Sequence, residues 1–412
     1  MALLTRRHAL IASAAATAFP RAGRAQAPGP EVRGIKLGYI ALTDAAPLIV
    51  AQERGLFAKY GMPDVDVAKQ ASWGGVRDNL VLGGERGGID GAHVLTPLAY
   101  LIHTGRVVQN NTPVAMAIVA RLNTNGQAIS VSANLKGATL DSKGLKAAFA
   151  AKTDNKVAMT FRGGTHDLWV RYWMAAGGID PERDVQTIVV PPPQMVANMK
   201  VGTMDAFCVG EPWNDQLVNQ KLGYTACVTG EIWKDHPEKS LALRADWVAK
   251  NPRAAQALTA AVIEAQIWAD ETANKQELAA MVGKRAWFNV PPADILPRSL
   301  GDINYGDGRT VSGSPLRMKF WADHASYPFQ SHELWFLTEN QRWGVLPRDL
   351  DTGALVKVVN REDIWRAAAA AAGAPAGPAG TSRGVETFFD GVKFDPADPA
   401  AYLAKLTIRK TA

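Results

Sequence analysis

The 412 residues suffice for two lobes of ordinary size rather than one small core. With 47% hydrophobic and 20% charged residues, the composition belongs to a globular chain and excludes overall disorder. The net charge of +6 falls to +2 once the four arginines of residues 1–27 are set aside, and no Lys/Arg cluster interleaved with aromatics occurs elsewhere, which argues against nucleic-acid binding.

Residues 1–27 read as an export address. Thr5-Arg6-Arg7-His8-Ala9-Leu10 is a twin-arginine pattern, followed by a small, apolar stretch from Ala9 to Phe19 that is too short to span a bilayer. Ala25-Gln26-Ala27 offers a small-x-small cleavage site, with Gly23-Arg24-Ala25 as a competitor. The segment holds no Cys, so no lipid anchor is expected on it. No later run reaches the roughly 18 apolar residues of a membrane span, so the mature chain is expected to be soluble in the periplasm.

Beyond the signal, apolar runs alternate with helical patterns. Ile35–Ile40 predicts a buried strand, Ala45–Tyr60 a helix ending at Gly61, and Asp64–Lys69 a second strand. A helix over Gly75–Leu82, a strand over Ile89–Val94 and a helix opened by Thr96-Pro97 follow. This grammar implies right-handed βαβ units and a largely parallel sheet. Pro113–Arg121 and Ala128–Ser132 read as extended runs that cross to a second lobe. There Val157–Phe161, a Gly163-Gly164 break and a helix from His166 to Ala176 repeat the pattern, as do Val185–Val190, a helix from Gln194 to Lys200 and Ala206–Val209. The chain then turns helical, with Asn251-Pro252 as cap and first turn, and returns to the first lobe. A helix over Arg361–Ala372 is expected to end in a flexible run, Gly373–Gly380. The expected layout is lobe 1 over 34–122, lobe 2 over 123–232, and over 233–412 the return with a C-terminal extension. Two lobes joined by two crossings suggest a clamshell with a ligand cleft at the hinge.

The most informative segment runs from Met159 to Trp169, a strand, a glycine turn and a helix start with Thr165 as the expected N-cap. A helix N-terminus offers unpaired N–H groups and partial positive charge, and His166 adds a ring donor. Taken alone, it reads first as an ordinary capped helix with a solvated histidine. Asp205–Trp213 has the same layout, with Gly210 allowing close backbone approach and Pro212 in the first turn. Trp73 beside glycines, Gln127 after a turn-like run and Lys239 are further candidates, with core packing or surface exposure as their ordinary roles. Cys208 and Cys227 leave two readings open, buried thiols (preferred) or a disulfide. No zincin, serine-hydrolase, P-loop or dinucleotide motif is present, no Cys/His set has metal-ligand spacing, and nothing makes a case for catalysis.

The residues resemble the periplasmic nitrate- and bicarbonate-binding proteins of ABC importers. The resemblance is carried by Lys36–Pro47, Lys69–Leu82, Gly88–Pro97, Gly163–Trp173, Val189–Trp213, Trp233–Leu241, Tyr305–Gly308, Asn360–Trp365 and Thr381–Glu386, which together cover nearly everything after residue 34. It implies an α/β type II periplasmic-binding-protein fold of two lobes with the ligand cleft at the hinge, and no catalysis or cofactor. Matching the family's motifs, Trp73, Gln127, His166, Gly210 and Lys239 fall at its anion contacts. Bicarbonate-binding relatives carry an acid where this chain has Lys239, and that acid helps hold calcium. A lysine there implies nitrate, with nitrite as a second ligand, and no metal. The expected partners are the membrane permease subunits of the importer, and the chain is expected to be a monomer. A receptor for bicarbonate or another oxyanion, a nitrate-sensing regulatory protein and a cofactor-making enzyme are the alternatives.

Overall fold

The computed structural model describes residues 29–409, so the export segment lies outside the described residues. Two five-stranded sheets organise the chain. The first contains β1 (Lys36–Tyr39), β2 (Asp66–Lys69), β3 (Gly91–Leu95), β4 (Met116–Arg121) and β10 (Lys239–Arg244), in the order β2-β1-β3-β10-β4. The second contains β5 (Gln127–Ser132), β6 (Lys156–Met159), β7 (Gln186–Val189), β8 (Ala206–Gly210) and β9 (Gly223–Val228), in the order β7-β6-β8-β5-β9.

The sheets are mixed, not largely parallel. In each, three neighbouring strands are parallel, and the fourth runs antiparallel to the strands on both sides of it: β10 between β3 and β4, β5 between β8 and β9. These are the two strands by which the chain enters each sheet from the other. The expected crossings at Pro113–Arg121 and Ala128–Ser132 are themselves sheet strands, and the passage lies between them, at 122–126, with the return at 229–238. The two connectors pair: Leu122 donates its N–H to the Lys239 carbonyl at 2.7 Å, and Asn125 to that of His236 at 3.1 Å.

Antiparallel entry has a consequence for chemistry. Because β10 and β5 run against their neighbours, their first residues sit at the carboxyl ends of the parallel strands. Lys239 pairs with Leu95, the last residue of β3, and Gln127 pairs with Gly210, the last residue of β8. Ligands of open α/β sheets collect at those ends.

Several local expectations change. The single helix expected over Ala45–Tyr60 is two, Ala46–Glu53 and Leu56–Lys59, because Gly55 adopts φ 66° between them. Thr165 is not the N-cap of its helix; Gly164 is, and Thr165 is the first helical residue. Asn251 does hold the N-cap position of the helix Pro252–Asp270, with Pro252 in its first turn, but its side chain makes no capping bond and its amide donates back to the Trp247 carbonyl at 3.0 Å. Within the run Gly373–Gly380, most of which is exposed, Gly377 lies against Trp365, where a Cβ would come within 2.6 Å. Cys208 and Cys227 are both buried free thiols. Ile129 of β5 stands between them, paired with both, which puts them two strands apart, about 9.5 Å, beyond disulfide reach.

One core gathers Leu37, Tyr39, Val94 and Leu241 under the helix Pro252–Asp270, and a second gathers Ile129, Val157, Trp169 and Trp173. The C-terminal segment joins the second through Phe388, Phe394 and Tyr402. Among the described residues no helix is long and apolar enough to cross a membrane.

Candidate functional site

The five residues singled out from the sequence converge between the two sheets. Trp73 opens the helix Trp73–Leu82, whose N-cap Ser72 accepts the Gly75 N–H at 3.1 Å. His166 is the second residue of the helix Thr165–Ala176, and the turn before it requires Gly163 at φ 75°. Trp73, His166 and Lys239 are fully excluded from solvent, and Gln127 is 1% exposed. At Gly210 a Cβ would stand 2.6 Å from Gln127 Oε1 and 3.2 Å from Asp44 Oδ2, so only glycine leaves the backbone this close to the amide.

The hydrogen bonds form a directed chain. Thr160 Oγ1 lies 2.5 Å from His166 Nδ1, His166 Nε2 lies 2.7 Å from Gln127 Oε1, and Gln127 Nε2 donates to Asp44 Oδ2 at 3.0 Å. A consistent assignment runs one way, Thr160 donating to His166, His166 to Gln127 and Gln127 to Asp44, with a neutral imidazole protonated on Nε2. Burial, and next to it the Lys239 charge, push the His166 pKa well below its ordinary value, in agreement with that neutral form.

Lys239 is held between two carboxylates that sequence reasoning missed. Its Nζ lies 2.9 Å from Asp44 Oδ2, 2.7 Å from Glu238 Oε1 and 3.4 Å from His166 Nε2. Burial alone would lower the Lys239 pKa, but Asp44 and Glu238 outweigh it and hold the group charged. Asp44 is likewise pulled both ways: burial raises its pKa, and Lys239 and His93 bring it below the ordinary carboxylate range. His93 Nε2 contacts Asp44 Oδ1 at 2.6 Å, while its Nδ1 accepts the Ile40 N–H at 3.5 Å, which makes it a neutral donor; burial pushes its pKa down. Glu238 also accepts from the Thr165 hydroxyl and, at 2.7 Å, from Trp169 Nε1; burial still raises its pKa.

Trp73 lies with its ring 5.2 Å from His93 and 5.9 Å from Lys239 Nζ, and its buried Nε1 has no hydrogen-bond partner. A buried orphan donor beside a cation is unusual and suits an anion site. Among the described residues no group of three His, Cys, Asp or Glu side chains is placed to hold a metal ion. Further contacts tie the lobes together across the cluster: Thr43 donates its N–H to the Glu211 carbonyl at 2.7 Å, and Trp213 Nε1 to the Ala41 carbonyl at 3.0 Å.

Asp44 and His93 had a faint signal. His93 stands in the middle of the apolar strand β3, and Asp44 in the short 3-10 turn Thr43–Ala45 that follows β1; each is an ionisable residue among apolar neighbours, where burial of a charge needs a partner.

The model of the NMT1-like family matches residues 28–283. The chain belongs to the NMT1-like family. A relative named nitrate/nitrite binding protein NrtA, from Synechocystis sp. (strain ATCC 27184 / PCC 6803 / Kazusa), is 59% identical over 92% of this chain and 86% of its own length. Bicarbonate-binding protein CmpA from Synechococcus elongatus is 43% identical over 92% of this chain and 88% of its own. The crystal structure of the periplasmic nitrate-binding protein NrtA from Synechocystis PCC 6803 superposes with a TM-score of 0.91, at 58% identity, over 92% of this chain and all of that one. This NMT1-like chain therefore has the two-lobed periplasmic-binding-protein fold, and these relatives are named as binding proteins rather than enzymes.

Proposed function

We propose that this protein is the periplasmic nitrate receptor of an ABC importer, with nitrite as a second ligand. The observation that carries the reading is the solvent-excluded meeting of Lys239, His166 and Gln127, contributed by both lobes. Nitrate is a flat monoanion with three acceptor oxygens and no proton to donate. An ammonium, an imidazole N–H, an amide N–H and the indole N–H of Trp73 are donors only toward it, and together they serve all three oxygens. Greater likeness to NrtA than to CmpA supports nitrate over bicarbonate, as does a lysine at position 239 where a calcium-holding acid would stand.

In this reading the lobes close on the anion and present the closed shape to the importer's permease subunits. The receptor works as a monomer, without metal or cofactor, and reaches the periplasm by the twin-arginine route without a lipid anchor.

Calorimetry of the mature protein with nitrate, nitrite and bicarbonate, each with and without Ca²⁺, tests the assignment. Nitrate is expected to bind tightly and independently of calcium. Bicarbonate binding that needs calcium, with no heat from nitrate, would reverse it.

A further inference from the structure

We propose that Asp44 sets the charge of the anion site and that each nitrate enters together with one proton, which Asp44 takes up. The inference rests on the nitrate reading above and adds a residue to it.

The donors assigned to the anion already have an occupant. Asp44 Oδ2 accepts from Gln127 Nε2 at 3.0 Å, lies 2.9 Å from Lys239 Nζ and stands over Gly210, where a Cβ would approach it to 3.2 Å. The carboxylate thus satisfies the same amide and ammonium, beside the same glycine, that a bound oxyanion would use. The groups facing it are His93 from β3, Glu238 and Lys239 at the start of β10 and His166 from the second lobe. Lys239 is the one cation among them, and it already faces two carboxylates.

An anion placed here adds one negative charge to a cluster without solvent, at a cost of many kcal/mol unless it is compensated. One proton keeps the net charge of the cluster what it was, whatever the state of Glu238. His93 is poorly suited to take it, because its Nδ1 accepts the Ile40 N–H and would become a donor facing a donor. Asp44 is well suited. When Lys239 turns to nitrate, Asp44 gives up its cation, the first of the two partners that hold its pKa down, and burial then works against the neutral His93 alone. The proton passes from bulk solvent to Asp44 Oδ2 while the lobes are apart. The resulting O–H donates to a nitrate oxygen, and Oδ1 keeps the His93 bond. A repelling carboxylate becomes one more donor.

The test is calorimetric titration of the full mature protein with nitrate, in buffers of different ionisation enthalpy at about pH 7.5. The slope of observed heat against buffer ionisation enthalpy counts protons, and about one proton taken up per nitrate is expected, with affinity falling about tenfold per pH unit from pH 7 to 8.5. In Asp44→Asn, an isostere of the protonated acid, the slope is expected to be zero and the affinity independent of pH. A zero slope in the unaltered protein while nitrate binds would overturn the proton and leave the nitrate reading standing. So would a wild-type slope in Asp44→Asn. No heat from nitrate at any pH would remove both.

Discussion

Gly210 and Gln127 face each other across the antiparallel pairing of β8 and β5, and a Cβ on Gly210 would lie 2.6 Å from the Gln127 carbonyl oxygen. That oxygen fixes His166 by accepting at 2.7 Å, so the glycine governs the aim of two donors at once. Gly210→Ala is expected to weaken nitrate binding by about 1–3 kcal/mol, the usual cost of adding a methyl group to a filled site. Calorimetry beside a thermal melt checks it. A melt that drops while affinity holds would place the effect in the sheet and not in the site.

Lys239→Ala is expected to cost roughly 1.5–3 kcal/mol of nitrate binding, the range for a hydrogen bond to a charged group. It also leaves Asp44 and Glu238 buried without their cation, a loss of about 3–5 kcal/mol in stability. Without Lys239 both carboxyls have folded pKa values above their unfolded ones. Their stability contribution in the variant is then present at low pH and lost as pH rises. The deficit against the unaltered protein is thus larger at pH 8 than at pH 5, measured by urea unfolding at both. An equal deficit at both pH values would show that the carboxylates do not depend on the lysine.

The strand-loop-helix units of the second lobe were legible because glycine breaks at 163–164 and 210 punctuate apolar runs, which made His166 and Gly210 candidates; the full set with Trp73, Gln127 and Lys239 came from the family resemblance. β9 and β10 were not legible. Gly223–Val228 and Lys239–Arg244 lie in a region that reads as helical; both are six-residue strands buried on both faces, so neither shows the alternation of a half-buried strand, and β10 opens on Lys239 and Ser240 and ends on Arg244. Missing β10 hid why Lys239 is buried: its register against Leu95 places it at the carboxyl end of β3. The site's carboxylates were hidden for a related reason. An acid in an apolar run, as Asp44 is, signals only that it needs a partner, and its partners come from the distant residues 93, 127 and 239.

Glu386 ties the C-terminal segment down by accepting from Arg383 at 2.6 and 2.9 Å and from Trp233 Nε1 at 2.9 Å. Burial would raise its pKa, but hydrogen bonds from His332 and Arg383 bring it to about 2, against an ordinary 4.5. His332 is itself kept neutral by burial and by Arg383, so it acts as a neutral donor. A folded pKa below the unfolded one gives stability that is present above pH 4.5 and lost as pH falls toward 2. Glu386→Gln is therefore expected to be less stable than the unaltered protein at pH 6, with the gap closing between pH 4.5 and 2. Urea midpoints across that range give the answer, and a constant gap would contradict it.

Cys208 and Cys227 are buried thiols whose pKa values burial pushes well up, so they are expected to resist thiol reagents while the protein is folded. Labelling followed by mass measurement should show no adduct on the native protein and two in urea without reductant. Absence of adducts in urea would mean a disulfide, and the separation of β8 from β9 by β5 would have to be wrong.

A crystal structure of the mature protein grown with nitrate tests the central claim most directly. The expected result is a planar anion between the lobes, with oxygens about 3 Å from Lys239 Nζ, His166 Nε2 and Gln127 Nε2. An anion lodged elsewhere, with Lys239 still closed on Asp44 and Glu238, would contradict it.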